Sequence, residues 1–324
     1  MTQVTKVRTG TLDDIATGSH VFSIIAMDQR NTLRRMFTAA GLDATDDDLR
    51  AAKVDVARVL TPAATGLLSD PTYGVPAITK AEALAPGCGL LVAAEPQERR
   101  NYRGEPRTHR DPGLDAQWVL DQRGDVLKFF VQLRVDRPAP GNGEPDLVAE
   151  TLTACAEVID DCHAKGVPAV IENLVYTLPD EELHGKARED SIIEAARALN
   201  DLDSDLLKLE YPGSPAGCRR LAAVLSRPWA VLSAGVPFDQ FTDILRIAFD
   251  DGGASGFIAG RSVWREAVGL AGHQREEFLT TVALPRLESL VTVAEQHARP
   301  WDEIGGSSQP VPAAGRPDGD ADVR

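Results

Sequence analysis

Short apolar runs recur along the chain, each bounded by polar residues, glycine or proline. They are largely continuous, a pattern typical of strands buried on both faces of a sheet. The pattern predicts eight strands: VFSIIAM (21–27), TGLLS (65–69), GLLVAA (89–94), VLKFFVQL (126–133), PAVIE (168–172), DLLKLE (205–210), WAVLSA (229–234) and GFIAG (256–260).

Segments with helical spacing lie between these strands, among them DDLRAAKVDVARVL, PDLVAETLTACAEVIDDCHAKG, DSIIEAARALNDL and FDQFTDILRIAFDDGG. Strand and helix therefore alternate, which predicts a parallel sheet covered by helices. Eight repeats favour closure into a single α/β domain, a (β/α)8 TIM barrel over residues 1–302. A doubly wound open sheet is the alternative, but no GxGxxG loop follows an early strand.

Two segments depart from this alternation. The stretch QERRNYRGEPRTHRDPG, residues 97–113, is too polar and too rich in proline and glycine for a regular element. It is expected to be a long loop on the rim where barrel active sites lie. The end of the chain, residues 303–324, has almost no large apolar residue and is predicted to be a disordered tail.

Composition narrows the function classes. The 324 residues are 43% hydrophobic and carry a formal net charge of −15, which argues against binding to nucleic acid or to an anionic membrane. No apolar run approaches the roughly 20 residues needed to cross a bilayer. The four cysteines have no CxxC spacing and the N-terminus has no apolar signal segment, so we expect a cytoplasmic protein with reduced thiols.

Polar residues within or directly after the predicted strands are the candidates for chemistry, because barrel active sites are built at the carboxyl ends of the strands. They are Asp28, Asp70, Glu95, Lys128, Glu172, Lys208, Glu210, Ser233 and Arg261.

Lys128 and Lys208 interrupt otherwise apolar strands. Burial and a neighbouring positive charge both lower the pKa of a lysine, and a neutral amine attacks carbonyls. Lys208 is therefore a candidate for Schiff-base chemistry, with Lys128 as the cation that depresses its pKa or moves protons. Ion pairs that neutralise the two lysines inside the barrel are the alternative.

Glu172 and Asp28 could likewise be either catalytic or structural. Glu172 lies on the strand between the two lysine strands, where it could move a proton between a substrate hydroxyl and water. Either carboxylate could equally be a structural counter-ion.

Small residues end the last two strands, in LSAGV (232–236) and AGRSVW (259–264). This is a common phosphate site in barrels. The backbone N–H groups of Gly235, Gly260 and Arg261 could approach an anion, with a hydroxyl from Ser233 and the charge of Arg261. Plain tight turns are the alternative.

Other candidates are less specific. The arginines of the 97–113 loop could bind a second anionic group or simply contact solvent. No histidine pattern typical of a metal site occurs, and no GxSxG motif follows a strand. We therefore expect no metal and no other cofactor.

The motifs together resemble the class I aldolases of the tagatose 1,6-bisphosphate aldolase family, including relatives that cleave 6-deoxy-6-sulfofructose 1-phosphate. The resemblance covers about residues 10 to 300. It rests on FSIIAMDQRNTLRRMF, KVDVARVLTPAATGLLSDPTYGVPA, VLKFF, VIENL, LLKLEYP, WAVLSAGV and GASGFIAGRSVW.

The resemblance implies a (β/α)8 barrel in which Lys208 forms the Schiff base. Lys128, Glu172 and Asp28 match the other active-site positions of the family. The segments containing Ser233, Gly235, Gly260 and Arg261 match the part that holds the C1 phosphate. A homo-oligomer is also implied.

The substrate implied is a ketohexose 1-phosphate. Some of the motifs are more similar to one branch of the family and some to another. DPTYGVPA is more similar to the tagatose bisphosphate branch, whereas MFTAAG and GASGFIAGRSVW are more similar to the sulfofructose phosphate branch. We expect the sulfosugar phosphate, cleaved to dihydroxyacetone phosphate and sulfolactaldehyde, with tagatose 1,6-bisphosphate as the alternative. A non-catalytic sugar-phosphate sensor is the alternative of another class.

Overall fold

The computed structural model describes residues 8–304. Most of the predicted tail, residues 305–324, lies outside the described residues. Within residues 8–304 the strands are β1 Phe22–Met27, β2 Gly66–Ser69, β3 Gly89–Ala93, β4 Arg100–Tyr102, β5 Glu105–Arg107, β6 Val126–Val131, β7 Ala169–Asn173, β8 Leu206–Leu209, β9 Trp229–Leu232 and β10 Gly256–Ala259.

Eight of these strands form a closed barrel of parallel strands, as predicted. Around the barrel the order is β1, β2, β3, β6, β7, β8, β9 and β10, and β10 pairs with β1. All eight predicted strands are present, with bounds that differ by one or two residues. The fold is therefore the (β/α)8 TIM barrel.

Helices connect successive barrel strands, and the four helical segments predicted from spacing are confirmed as α2, α5, α6 and α8. The helices are α1 Asn31–Ala39, α2 Asp46–Leu60, α3 Gly74–Lys80, α4 Ala116–Asp121, α5 Leu147–Lys165, α6 Gly185–Asn200, α7 Pro215–Ala222, α8 Phe238–Asp250, α9 Arg261–Trp264, α10 Gly272–Phe278 and α11 Leu284–His297. No helix among residues 8–304 combines the length and the apolar character that crossing a membrane requires.

Local sequence signals explain where several helices begin and end. Thr45 and Asp48 form a capping box at the start of α2, each side chain bonding the other residue's backbone N–H. Asp146 caps α5, which ends at Gly166 in the left-handed conformation that glycine adopts at low cost. These signals fix where α2 begins and where α5 begins and ends.

Side chains alternate between two cores along each barrel strand. Residues such as Leu127, Ile171 and Leu207 face the helices, whereas Val126 and Val170 pack inside the barrel. A short 3-10 helix, Leu12–Ile15, belongs to the interior core. The period of two therefore decides which residues of each strand enter the barrel.

The segment 97–113 was wrongly expected to contain no regular element. It forms a two-stranded antiparallel hairpin, β4 and β5, whose turn is Arg103 and Gly104 with φ of 51° and 88°. Positive φ at both turn residues matches the twist of a tight hairpin. The hairpin lacks the apolar alternation of a sheet and is held by ion pairs to later segments, so the hydrophobic pattern did not reveal it.

Candidate active site

Charged residues continue the interior faces of the strands at their carboxyl ends. Lys128 follows Val126 by two positions, and Lys208 follows Leu206 in the same way. The interior is thus apolar at one end and charged at the other. Lys128 is 1% exposed and Lys208 is 4% exposed, so both ammonium groups depend on protein partners.

Three carboxylates surround the ammonium group of Lys128. Its Nζ lies 2.9 Å from Asp28 Oδ2, 3.1 Å from Glu95 Oε1 and 3.0 Å from Glu172 Oε2. Asp28 follows β1 and Glu95 follows β3, so residues from three other strands of the barrel converge on this lysine. Lys128 therefore forms the ion pairs inside the barrel that its alternative interpretation predicted.

Glu172 joins the two lysines. It is the register partner of Lys208 across β7 and β8, and its Oε1 lies 2.7 Å from Lys208 Nζ. Its other oxygen contacts Lys128. The predicted catalytic residues thus form one continuous chain of contacts, Asp28 to Lys128 to Glu172 to Lys208.

The chain of charges determines which groups are ionised. Burial alone would lower the pKa of Lys128, but the carboxylates of Asp28, Glu172 and Glu95 raise it above its usual value. Burial would raise the pKa of Asp28 and of Glu172, but Lys128 and Lys208 lower both pKa values. Lys128 is consequently a fixed cation, and Asp28 and Glu172 are held in the ionised carboxylate form.

A cavity of about 480 Å³ opens above this chain. Asp28, Lys128, Glu172 and Lys208 line it, and the walls include residues from the ends of most barrel strands. The volume falls in the range of small-molecule sites.

Three of the four predicted phosphate-binding residues, Ser233, Gly260 and Arg261, also line the cavity. Ser233 begins a tight turn that Val236 N closes by donating to Ser233 O at 3.0 Å. The central residues, Ala234 and Gly235, have φ of 47° and 76°. A positive φ is strained for alanine, and such strain concentrates at functional sites.

Gly235 is buried beside the guanidinium groups of Arg261 and Arg265. A Cβ at this position would lie 2.8 Å from Arg265 Nη2 and 3.2 Å from Arg261 Cζ. The carbonyl of Gly235 accepts a hydrogen bond from Arg265. Burial and the charge of Arg265 lower the pKa of Arg261, so an anion here would relieve the repulsion between the two arginines.

Two strand-end carboxylates have other partners. Asp70 is fully buried against Lys53, 2.7 Å from its Nζ, and accepts backbone hydrogen bonds from Thr72, Tyr73 and Gly74. Glu210 lines the cavity but contacts Arg188 and accepts a hydrogen bond from Val175 N at 2.8 Å. Burial raises the pKa of Glu210 despite the charge of Arg188.

Sequence reasoning missed two parts of the site. Glu95 was noted as a strand-end residue, but its contact with Lys128 was not predicted. Arg265 was not considered, although it follows Arg261 by four residues, the spacing that places two side chains on one helical face. Among residues 8–304, no group of three or more histidine, cysteine, aspartate or glutamate residues is placed to hold a metal ion.

Comparison with known proteins adds the family context. Residues 22–266 match the sequence model of a family described as "DeoC/LacD family aldolase". The tagatose 1,6-diphosphate aldolase of Streptococcus agalactiae is 27% identical over 331 residues, which cover 90% of this chain and 97% of the relative. The tagatose 1,6-diphosphate aldolase of Lactococcus lactis is 27% identical over 337 residues, which cover 93% and 99%.

A solved structure of a Schiff-base-forming fructose 1,6-bisphosphate aldolase has a TM-score of 0.60 with this chain. The two are 15% identical, and the match covers 87% of this chain and 98% of the other. An archaeal fructose 1,6-bisphosphate aldolase has the same TM-score and identity, with 88% and 98% covered. At this identity the likeness concerns the fold.

Proposed function

Because the chain belongs to the DeoC/LacD family of aldolases, and is therefore a carbon–carbon lyase, we propose that it cleaves a ketohexose 1-phosphate through a Schiff base on Lys208. The observation that carries this proposal is the contact between Lys208 and Glu172, 2.7 Å apart at the base of a sugar-sized cavity. A nucleophilic lysine beside a proton-accepting carboxylate is the arrangement that covalent catalysis on a carbonyl needs.

The reaction begins when Lys208 transfers a proton to Glu172 and its free amine attacks C2 of the ketose. Glu172 then returns its proton to the carbinolamine hydroxyl, which leaves as water to give an iminium ion and restores the carboxylate. A base then removes the proton of the C4 hydroxyl, the C3–C4 bond breaks, and its electron pair neutralises the iminium to leave an enamine. Glu172, or a water that it holds, is the proposed base, and the C4 fragment leaves as an aldehyde.

The enamine is then protonated at C3 to regenerate the iminium ion. Attack of water at C2 and release of the amine free dihydroxyacetone phosphate and Lys208. Lys128 would keep Glu172 and Asp28 ionised through its charge, and Asp28 would orient Lys128 and the substrate hydroxyls. The sequence suggested that Lys128 makes Lys208 easier to deprotonate through its positive charge. This effect stays part of the proposal, and Glu172 lies between the two lysines.

The C1 phosphate is assigned to the ends of β9 and β10. Ser233, Gly260 and Arg261 border the cavity there and could offer a hydroxyl, backbone N–H groups and a guanidinium. Gly235 supports this site from behind, because its lack of a side chain leaves room for Arg261 and Arg265. Hydrogen bonds from charged donors and backbone N–H groups are the interactions that hold phosphate in proteins.

The relatives favour tagatose 1,6-bisphosphate over the sulfosugar that the sequence motifs suggested. Both relatives described above act on tagatose 1,6-diphosphate by name and match nearly their whole length. We therefore propose tagatose 1,6-bisphosphate as substrate, with glyceraldehyde 3-phosphate as the second product. The values of kcat/KM for tagatose 1,6-bisphosphate, fructose 1,6-bisphosphate and 6-deoxy-6-sulfofructose 1-phosphate test this choice, and a marked preference for the sulfosugar would overturn it.

Borohydride trapping tests the Schiff base itself. Wild-type protein incubated with dihydroxyacetone phosphate and sodium borohydride should gain one reduced adduct, which peptide mass spectrometry should place on Lys208. Lys208→Met should gain none and should lose cleavage activity, whereas Lys80→Met, a change at a lysine outside the cavity, serves as the matched control. An adduct on another lysine, or full cleavage by Lys208→Met, would contradict the proposal.

A further inference from the structure

The rim of the cavity opposite the proposed C1-phosphate site carries an arginine without a carboxylate partner. Arg99 belongs to the segment after β3 and lines the cavity. Its Cζ lies 4.2 Å from the centroid of the Phe130 ring on β6. Within residues 8–304, its guanidinium forms no ion pair with a carboxylate, although the charge of Glu95 acts on it. Glu95 itself pairs with Lys128 and lies close to Arg30, so the N–H groups of Arg99 remain available to a ligand.

Three of the other four arginines of segment 97–113 have partners outside the cavity, and the fourth, Arg100, does not line the cavity. Arg103 contacts Glu144, Arg107 forms two hydrogen bonds of 2.7 Å with Glu150, and Arg110 lies 3.3 Å from Asp161. These contacts attach the hairpin to α5 and to the loop before it. They leave Arg99 as the arginine of this segment that borders the cavity.

Other contacts hold the hairpin, and so Arg99, in place. Glu105 on β5 accepts two hydrogen bonds of 2.9 Å from Arg137 and one of 2.8 Å from Tyr176 Oη. The ring of Phe130 supports the guanidinium from below, and Lys128 Nζ lies 5.8 Å from the centre of that ring. Stacking on an aromatic ring orients an arginine while its N–H groups stay available.

The order of strands places Arg99 across the barrel mouth from the C1 phosphate. In the closed barrel β9 and β10 are neighbours. The third strand from β9, counted away from β10, is β6, and the third strand from β10, counted away from β9, is β3. Arg99 follows β3 and stacks on a residue of β6, so it lies diametrically opposite Ser233 and Arg261. A substrate with one anion at β9 and β10 and its carbonyl over Lys208 on β8 would extend towards Arg99.

Two further arginines line the cavity but are less available. Arg30 donates to the backbone oxygen of Glu95 at 3.0 Å and lies 3.6 Å from its carboxylate. Arg35 donates to Thr32 Oγ1 at 2.9 Å, one turn earlier on α1. Partial removal from solvent lowers the pKa of Arg99, the charge of Glu95 opposes this, and the charge of Arg30 acts in the same direction as burial. An anion between these groups would be stabilised by both charges.

We propose that Arg99 is a specificity-determining residue that binds the anionic group at C6 of the substrate, an assignment that rests on the proposed aldolase function. A planar guanidinium can bond two oxygens of a phosphate or a sulfonate at once. The same residue would therefore favour substrates charged at both ends over ketose 1-phosphates with a neutral C6 hydroxyl.

Paired substrates test this assignment. Wild type, Arg99→Gln and Arg100→Gln are compared with tagatose 1,6-bisphosphate and with tagatose 1-phosphate, which lacks the C6 anion. Arg100 is the matched control, because it is exposed, adjacent in sequence and outside the cavity. Arg99→Gln should lower kcat/KM for the bisphosphate by about 10- to 100-fold, mainly through KM, since charged hydrogen bonds contribute about that much.

The same variant should leave kcat/KM for tagatose 1-phosphate close to the wild-type value, and Arg100→Gln should leave both. Equal losses with both substrates, or an equal effect of Arg100→Gln, would overturn the assignment of Arg99 alone. Trapping of dihydroxyacetone phosphate separates the two proposals, because that ligand has no C6 group. If wild type forms no adduct on Lys208 and cleaves neither ketose, the aldolase mechanism fails, and the Arg99 assignment fails with it.

Discussion

Glu172 and Lys208 occupy directly paired positions on neighbouring strands, and Glu172 Oε1 lies 2.7 Å from Lys208 Nζ. The contact joins the proposed nucleophile to the proposed base, so a proton can pass between them without a change in the backbone. The second oxygen of Glu172 contacts Lys128, which keeps the carboxylate in place when Lys208 becomes covalently bound. One carboxylate therefore serves both as counter-ion and as catalyst in this proposal.

Replacing the Glu172 carboxylate tests its catalytic role. Glu172→Gln keeps the shape of the side chain but removes its charge and its ability to accept a proton. We expect kcat for ketose cleavage to fall by about 10²- to 10⁴-fold, the usual contribution of general acid–base catalysis. Steady-state kinetics of wild type, Glu172→Gln and Glu210→Gln measure this fall. Glu210→Gln is the matched control, because Glu210 lines the same cavity but pairs with Arg188. Wild-type kcat in Glu172→Gln would exclude Glu172 as the base.

The charged chain should also make stability depend on pH. The pKa values of Asp28 and Glu172 are lowered in the folded protein from ordinary values of 3.8 and 4.5. A carboxyl group that binds its proton less tightly when folded stabilises the protein above its unfolded pKa, and this contribution is lost as the pH falls. The free energy of unfolding should therefore drop between about pH 5 and pH 2.

Asp28→Asn should make this drop smaller, because one of the two groups no longer titrates. Urea unfolding at both pH values measures the difference, and Asp43→Asn controls for the loss of one exposed negative charge. A drop in Asp28→Asn as large as that of wild type would show that Asp28 does not contribute to the acid sensitivity.

The strands and the lysine positions were predictable because the period of two is local. Once Val126 and Leu206 are placed inside the barrel, Lys128 and Lys208 must face inward too, and Glu172 must lie on the strand between them. The contact of Glu95 with Lys128 was not predictable, because it depends on how far a side chain reaches after β3 ends. The hairpin was hidden for a related reason, since partners such as Glu150 lie more than 40 positions from the arginines they bind.

The buried ion pair of Lys53 and Asp70 could not be predicted from the sequence pattern either. The pair connects α2 to the segment that carries Asp28. Lys53 Nζ donates to the backbone oxygens of Met27 at 2.5 Å and Gln29 at 2.9 Å, on either side of Asp28. Both side chains of the pair are fully buried. The pair thus fixes the backbone at one end of the charged chain.

Lys53→Met should destabilise the protein by about 3–5 kcal/mol, because it leaves the Asp70 carboxylate buried without its partner. The double variant Lys53→Met/Asp70→Asn should cost less than the sum of the two single changes, since the unpaired charge is then absent. Urea unfolding of wild type, both single variants and the double variant measures this coupling. Strict additivity would show that the two side chains do not stabilise each other.

Gly235 offers a test of the C1-phosphate site that separates strain from loss of binding. Gly235→Ala places a residue with φ of 76° beside Arg265, whose Nη2 would lie 2.8 Å from the new Cβ. Gly166→Ala is the matched control, because its φ is 63° and its Cβ would meet no atom within 4 Å. Both changes should lose about 1–2 kcal/mol of stability to backbone strain.

Only Gly235→Ala should also weaken phosphate binding, because the displaced arginines would lose a charge-assisted contact. We expect KM for the ketose 1-phosphate to rise about 10-fold, the effect of about 1.4 kcal/mol, while Gly166→Ala keeps the wild-type KM. Parallel urea unfolding and steady-state kinetics on the two variants measure both quantities. A rise in KM of the same size in both variants would attribute the effect to lost stability, and the phosphate would then have to be bound elsewhere in the cavity.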